Sequence, residues 1–348
     1  MARILVGLSG GVDSAVAAYE LCREGHEVIG AYLTGWHPQD VICNETVDRQ
    51  DAMRVAAHLG IRFITIPARR AYEEQVAHVL FREYARGRVP NPDVLCNRVL
   101  KFGLMREVAR ALRADALATG HYVRSTKSGD AVFLLRGADP GKDQSYFLSL
   151  VRKDVLPELL FPLGALRKEE VRARARAQGL PVAEKPDSQG VCFVGTMPMR
   201  AFLRGRLQTT VGPVYDARGT LVGEHDGAML YALGAREGIR YTVPAPAPRY
   251  VVAKDIARNT LMVSEHPPQY STIVLRDVSL LAPMPASCSI QYRYHGPLCD
   301  DVLLTWRDTA TLILTLREPC RDFLSPGQIV ALYAGDRLLG GGIIDEAQ

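Results

Sequence analysis

Short apolar runs alternate with amphipathic stretches through the first half of the chain. "RILVGLS" (3–9) is almost continuously apolar, the pattern of a parallel strand buried on both faces. "VDSAVAAYELCREG" (12–25) has helical spacing and ends at Gly25, a residue suited to a helix C-cap. "HEVIGAYL" predicts a second strand, "TVDRQDAMRVAAHLG" a second helix closed by Gly60, and "IRFITIP" a third strand. Two more helices follow in "RAYEEQVAHVLFREYARG" and "NRVLKFGLMREVARALRA", then a fourth strand in "DALATGHYV". This alternation predicts an α/β fold, a doubly wound parallel sheet with helices on both faces. Such sheets bind ligands at the carboxyl ends of their strands.

The pattern changes near residue 205. From "VGPVYDARGTLVGEHDG" onward the apolar runs are short, β-like and punctuated by Gly and Pro. "TVPAPAPRY" (242–250) is a Pro-rich connection; "PQYSTIVLRDVSLL", "ASCSIQYRYHG", "ATLILTLRE" and "GQIVALYAGDRLLGGGII" complete an all-β C-terminal third. The expected organisation is an α/β domain over 1–204 followed by two small all-β domains, a central one over 205–268 and a C-terminal barrel over 269–348.

Composition narrows the picture only a little. The 348 residues are 47% hydrophobic and 23% charged, ordinary for a soluble globular protein. A net charge of +4 is too small to imply a nucleic-acid partner by itself. Residues 151–210 hold eleven Lys/Arg against six Asp/Glu, so the positive excess is local. No stretch approaches the ~20 apolar residues of a membrane span. The N-terminus enters a strand directly, without a signal-peptide pattern, which points to the cytoplasm and away from membranes. The seven cysteines are widely spaced and odd in number, unlike a secreted disulfide framework.

"GLSGGVDS" (7–14) joins the first strand to the first helix. Gly10 and Gly11 let backbone amides turn inward, and the helix N-terminus adds positive potential. Ser9 and Ser14 offer hydroxyls, and Asp13 can orient a metal. This is a phosphate or pyrophosphate cradle, but neither a Walker A motif nor G-x-G-x-x-G. It resembles the PP-loop of the ATP pyrophosphatases, which cleave ATP between its α and β phosphates and adenylate a carbonyl oxygen.

Two cysteines sit in polar loops rather than in apolar runs. Cys96 lies in "PNPDVLCNRVLKF" (90–102) and Cys192 in "EKPDSQGVCFVG" (184–195). A thiolate is a strong nucleophile, and nearby positive charge or a helix N-terminus lowers its pKa. The sequence predicts that Cys96 begins the helix "NRVLKFGLMREV", with its amides and Arg98 or Lys101 acting on the thiol. Asp93, about one turn away, is a candidate general base. Cys22, Cys288, Cys299 and Cys320 read as small buried hydrophobes, Cys43 is ambiguous, and Cys288, His295 and Cys299 match no common metal site.

Taken in order, "GLSGGVDSAVAA", "PNPDVLCNRVLKFG", "ATGHYV", "GKDQSYFL", "EKPDSQGVCFVG", "GEHDGAMLYALG" and "GDRLLGGGII" resemble the tRNA-specific 2-thiouridylases over essentially the whole chain. The resemblance implies ATP-dependent sulfur transfer to the wobble uridine of tRNAs for Lys, Glu and Gln. It implies ATP and Mg²⁺ as cofactors, and tRNA and a persulfide donor (a cysteine desulfurase or relay protein) as partners. It assigns Cys192 as persulfide carrier, Cys96 as nucleophile, with a Cys96–Cys192 disulfide as one way of releasing the sulfur, and Asp93 as acid/base. Gly7, Leu8, Ser9, Gly10, Gly11, Val12, Asp13 and Ser14 match the nucleotide loop, with Leu33 and Gly120 as adenosine contacts. Asn91, Pro92 and Asp93 match the base-contacting segment. His121, Lys142, Asp143, Gln144, Arg293, Tyr294 and Gln328 match tRNA contacts, and no resident metal ligand is implied.

Two departures stand out. Ala15 replaces the family's second Ser, and "ALGAREGI" (232–239) replaces a segment that usually carries more polar and basic side chains. The second departure bears on a tRNA contact, not on the chemistry. Three other readings stay open: a PP-loop ligase acting on a small molecule, a non-enzymatic RNA-binding protein, and a sulfurtransferase with an iron–sulfur cluster on Cys96 and Cys192. A cluster normally wants three or four cysteines, and the sequence offers no convincing third.

Overall fold

The computed structural model describes residues 1–36, 44–187, 197–242, 244 and 247–348. The α/β part starts with strand β1 (Arg3–Gly7), helix α1 (Val12–Arg23), β2 (Glu27–Thr34), α2 (Glu45–Leu59) and β3 (Arg62–Pro67). A helical run over 69–85, α3, and another over 92–111, α4, come next. Strand β4 (Ala116–Ala118), the hairpin β5 (Val123–Ser128) and β6 (Ala131–Arg136), β7 (Leu159–Leu160), α5 (Lys168–Ala177) and α6 (Met199–Arg204) complete it.

The parallel sheet has the order β3-β2-β1-β4-β7. Ile4, Leu5 and Val6 of β1 are fully buried, as a strand covered by helices on both faces requires. The chain leaves β1 toward β2 and later returns to β4 on the other side of β1. The crevice beyond the carboxyl ends of β1 and β4 is therefore the topological switch point, where open α/β sheets bind ligands.

Both long helical runs change pitch internally. Glu73–Ala77 in α3 and Asn97–Leu104 in α4 are π-helical, flanked by α-helical turns. Helix α4 begins at Pro92, not at Asn97. Asn91 is its N-cap, its Oδ1 accepting from the amides of Asp93 (3.0 Å) and Val94 (3.1 Å). The expectation that Cys96 begins the helix is thus corrected: Cys96 is the fifth helical residue, beyond the open amides of the first turn.

The central sheet comprises β8 (Gly212–Asp216), β9 (Leu221–His225), β10 (Arg240–Tyr241), β11 (Tyr250–Asp255) and β12 (Thr260–Ser264), ordered β10-β9-β8-β12-β11. Its inner face packs Val214, Val222, Val251, Leu261 and Val263 against Tyr72, Val76, Leu80 and Tyr84 of α3. The C-terminal barrel consists of β13 (Gln269–Leu280), β14 (Ser287–Gln291), β15 (Cys299–Trp306), β16 (Leu312–Arg321), β17 (Ile329–Ala334) and β18 (Arg337–Ala347). Pairing of β13 with β18 closes it.

The hairpin β5–β6 belongs to the α/β part in sequence but extends the barrel sheet, Leu134 opposite Leu338 and Leu135 opposite Arg337. One apolar cluster runs from Leu5, Ile29 and Phe102 through Leu134, Tyr146 and Leu148 to Ile329, Tyr333 and Leu338 of the barrel. Glu83, buried on α3, accepts from Arg276 of β13 at 2.9 Å. The barrel is therefore seated on the α/β part by shared core and charge.

Candidate active site

The loop between β1 and α1 is held by its own hydroxyls. Ser14 Oγ accepts from the Ser9 amide (3.1 Å) and donates to the Gly11 carbonyl (3.0 Å), and the two serine hydroxyls lie 3.2 Å apart. Gly10 has φ +77°, and a Cβ there would fall 2.1 Å from the Asp48 carbonyl oxygen. Only glycine permits that turn and that approach of α2. Gly11 caps α1 without a side-chain hydrogen bond, so the first-turn amides are not occupied by a capping side chain. This is the arrangement an anionic phosphate needs.

Gly120, just past β4, closes the other wall. A Cβ there would lie 2.8 Å from the Asp13 carbonyl carbon and 2.9 Å from the Ser14 nitrogen. Leu33, at the end of β2, is half-buried between the two apolar clusters that flank the crevice.

Around the loop runs an ion network that spacing alone did not reveal. Lys168 Nζ donates to both oxygens of Asp13 (2.7 and 2.8 Å) and lies 2.8 Å from Asp187. Tyr122 Oη donates to Asp13 Oδ1 at 2.7 Å. Asp187 also accepts from Lys142 (2.8 Å) and Arg172 (2.7 Å). Burial would raise the Asp187 pKa, but hydrogen bonds from Lys142 and Lys168 outweigh it and bring it down to about 2. Lys168 and Tyr122 stand 155 and 109 residues from Asp13, so no local motif signals them. Among the described residues no group of three or more His, Cys, Asp or Glu converges as a metal site.

Helix α4 brings Asp93 and Cys96 onto one face, one turn apart. Cys96 is buried, packed among Tyr72, Leu80 and Leu100. Burial pushes the Asp93 carboxyl above the ordinary range, with the charge of Lys101 working the other way. Arg98 is turned to the barrel, bound to Asp277 at 2.8 and 3.4 Å. Cys192 lies outside the described residues, as does Cys43, so the expected cysteine pairing has no geometry here.

His121 is buried against Phe102 and Phe161, ring centroids 5.7 and 6.4 Å away, with Nδ1 2.8 Å from Thr119 Oγ1. Burial, then the Lys101 charge, holds its pKa well below the ordinary imidazole value. Asp143 is also interior: it accepts from the Gly137 and Ser145 amides and the Ser145 hydroxyl at 2.9–3.0 Å. Gln144 Oε1 accepts from the Tyr122 amide at 3.1 Å. Both residues brace the loop that holds Tyr122. In the barrel, Tyr294 packs on Phe147 at 4.4 Å, and the Phe147 carbonyl accepts from Asn97 Nδ2 of α4 at 3.2 Å. Tyr294 is thus brought to α4. Arg293 is half-exposed and paired with Asp322 (2.9 Å). Gln328 Oε1 accepts from the Ser325 amide (3.0 Å), closing a turn in its own strand connection.

Comparison with known proteins covers the whole chain. Family models match in series: a tRNA methyl transferase HUP domain over residues 2–196, a tRNA methyl transferase PRC-barrel domain over 200–265 and an aminomethyltransferase β-barrel domain over 271–344. A tRNA-specific 2-thiouridylase MnmA from Akkermansia muciniphila is 42% identical, covering 100% of both chains. The proteins of the same name from Listeria monocytogenes (39% identical, 99% of this chain and 94% of that one) and Geobacillus kaustophilus (39%, 99% and 95%) are similar throughout. Among solved structures, a 4-thiouridine synthetase–RNA complex with bound ATP is 17% identical, covers 57% of this chain and 46% of that one, and has a TM-score of 0.37, too slight to carry an argument. With a full-length relative at 42% identity and three matching domain models in the same order, the chain belongs to the MnmA family of tRNA-specific 2-thiouridylases.

Proposed function

We propose that the protein is a tRNA-uridine 2-sulfurtransferase that uses ATP to thiolate the wobble uridine of tRNAs for Lys, Glu and Gln. The observation that carries this reading is the juxtaposition at the switch point. An amide-lined phosphate loop, Gly7 to Ser14, shares one crevice wall with the Gly120–His121 segment, whose imidazole packs on the helix bearing Asp93 and Cys96.

ATP lies with its phosphates on the loop and its adenosine against Leu33 and Gly120. Magnesium would be held chiefly by the nucleotide and would neutralise charge on the departing pyrophosphate; Asp13, tied to Lys168 and Tyr122, is the loop's own carboxylate and does not build a metal site alone. The target base leaves the anticodon stack to reach the site. Its 2-oxygen attacks the α-phosphorus and pyrophosphate departs. A urea-type carbonyl is a poor electrophile, and the AMP ester turns its oxygen into a leaving group.

A donor protein, a cysteine desulfurase or relay protein, loads Cys192 with a persulfide. The terminal sulfur bonds to C2 and the C2–O bond breaks, releasing AMP. The S–S bond breaks as the Cys96 thiolate joins Cys192 in a disulfide, which an external thiol then reduces. Asp93 exchanges the proton. Its raised pKa suits that role.

Asn91, Pro92, Lys142, Arg293 and Tyr294 line the tRNA side. His121, Asp143, Gln144 and Gln328 shape that side from within. Among the described residues no helix is long and apolar enough to cross a membrane. An enzyme that acts on tRNA with ATP works in the cytoplasm, and that is the location this reading assigns.

The reading is tested by incubating protein, ATP, magnesium, sulfide and unmodified tRNA. AMP and pyrophosphate should form in step with 2-thiouridine, and only when tRNA is present. ATP consumption without a thiolated nucleoside would instead favour a ligase acting on a small molecule.

A further inference from the structure

Lys101 occupies a place in α4 that an ordinary helix would not give it. In a continuous α-helix a residue five positions after Cys96 lies roughly 140° around the axis from it. The segment Asn97–Leu104 is π-helical, however, with hydrogen bonds closing five residues apart. Residues i and i+5 then lie on the same side of the helix, as i and i+4 do in an α-helix. Cys96 immediately precedes this segment, so Lys101 is carried onto the face that Asp93 and Cys96 share.

The ammonium is half-buried, with no hydrogen-bond or ion-pair partner among the described residues. Its positive charge acts on two groups, drawing down the pKa of both the Asp93 carboxyl and the His121 imidazole, in each case behind burial as the larger cause. The neighbouring cation is otherwise engaged, since Arg98 is bound to Asp277. Among the described residues, the apolar cluster that holds Cys96 also contains Tyr72 and Tyr84 of α3 and Tyr231. Burial pushes Tyr84 up to about 12, so it carries no charge near neutrality. Holding a partly buried cation that makes no direct hydrogen bond or ion pair among the described residues is costly. The cost makes sense where negative charge appears during the reaction.

We propose that Lys101 is an electrostatic positioning residue, swung by the π-helical segment onto the Asp93–Cys96 face to hold negative charge on that carboxylate and on the Cys96 sulfur during transfer. The proposal rests on the sulfurtransferase reading and deepens it. In this role the ammonium opposes the burial of Asp93 and keeps the carboxylate available as a base. It also offsets the cost of forming a thiolate in an apolar surrounding.

The experiment compares wild type, Lys101→Gln and Lys101→Arg in steady-state thiolation of unmodified tRNA, with a pH profile and calorimetric ATP binding. Lys101→Gln should lower kcat by roughly 10–100-fold with KM for tRNA and ATP within about twofold. Its acid limb should move to higher pH, because Asp93 loses the charge that favours its ionised form. Lys101→Arg should restore most of the rate and the limb.

A Lys101→Gln enzyme with wild-type kcat and an unmoved limb overturns the proposal. So does a loss of ATP binding or of melting temperature in parallel with activity, which would mark a structural role. Failure of wild type to make 2-thiouridine sinks the function itself, a different result from either.

Discussion

Replacing Gly120 by Ala tests the geometry on which the nucleotide site depends. The added methyl would stand 2.8 Å from the Asp13 carbonyl carbon, 2.9 Å from the Ser14 nitrogen and 3.0 Å from the Asp13 oxygen. Ordinary contact for a Cβ begins near 3.4 Å. All three obstacles are backbone, so no side chain can swing aside. The N-terminus of α1 and the end of β4 must separate by about half an ångström, and overpacking of that kind costs roughly 1–3 kcal/mol. At roughly 2–4 °C per kcal/mol for a domain of this size, the melting temperature should fall by about 2–12 °C. The displaced atoms are those of the phosphate loop, so ATP affinity should weaken by roughly tenfold or more, about 1.4 kcal/mol. Calorimetric titration with a non-hydrolysable ATP analogue, beside a thermal melt, reads both quantities. Gly205→Ala is the control: its φ is −73° and its nearest obstacle is 4.0 Å away, so it should change neither. A Gly120→Ala protein that binds the analogue as wild type does and melts within a degree of it would refute the close approach.

Further outcomes follow from other parts of the molecule. Asn91→Ala removes the cap on the amides of Asp93 and Val94 and should cost about 1 kcal/mol, read by denaturant unfolding, while slowing thiolation because Asp93 and Cys96 lie in the first turns it secures. Burial raises the Asp93 pKa, so the folded protein holds that proton more tightly than the unfolded chain does, and stability from this group falls as pH rises from its ordinary value of 3.8 through the folded pKa. Asp93→Asn should therefore be inactive yet at least as stable as wild type at neutral pH, measured by melting across pH. Glu158 has the opposite sign: Arg106, then Arg110, bring it to about 2 from 4.5, so its contribution is complete above 4.5 and lost toward pH 2. Glu158→Gln should be less stable than wild type at pH 7, and the gap should close on acidification. Glu83→Ala leaves Arg276 and Arg88 facing a vacated buried site and should cost roughly 1.5–3 kcal/mol, seen as a lower melting temperature.

Legibility in the sequence tracked locality. The strands and helices through β3 follow from apolar runs and helical spacing, and the phosphate loop follows from Gly10 and Gly11 between a strand and a helix. The start of α4 was also written in the chain, as an Asn N-cap followed by Pro at the first helical position. The helix therefore starts five residues before Asn97. The stretch "DALATGHYV" was expected as one strand, but β4 stops at Ala118 and β5 begins at Val123. Between them Gly120 must meet the phosphate loop and His121 must enter an aromatic pocket. The β6–β18 pairing and the Asp13–Lys168–Asp187 chain have no local signature, because each is decided by contacts across long sequence separations. For His121, Asp143 and Gln144 the motif was legible, while their burial and internal hydrogen bonds came only with the fold.

The most direct measurement is mass spectrometry of nucleosides from unmodified tRNA incubated with the protein, ATP, magnesium and a sulfide source, using wild type, Cys192→Ser and Cys96→Ser. The account predicts 2-thiouridine at the wobble position with wild type alone. Full thiolation by either cysteine variant, or ATP turnover by wild type with no thiolated nucleoside, would contradict it.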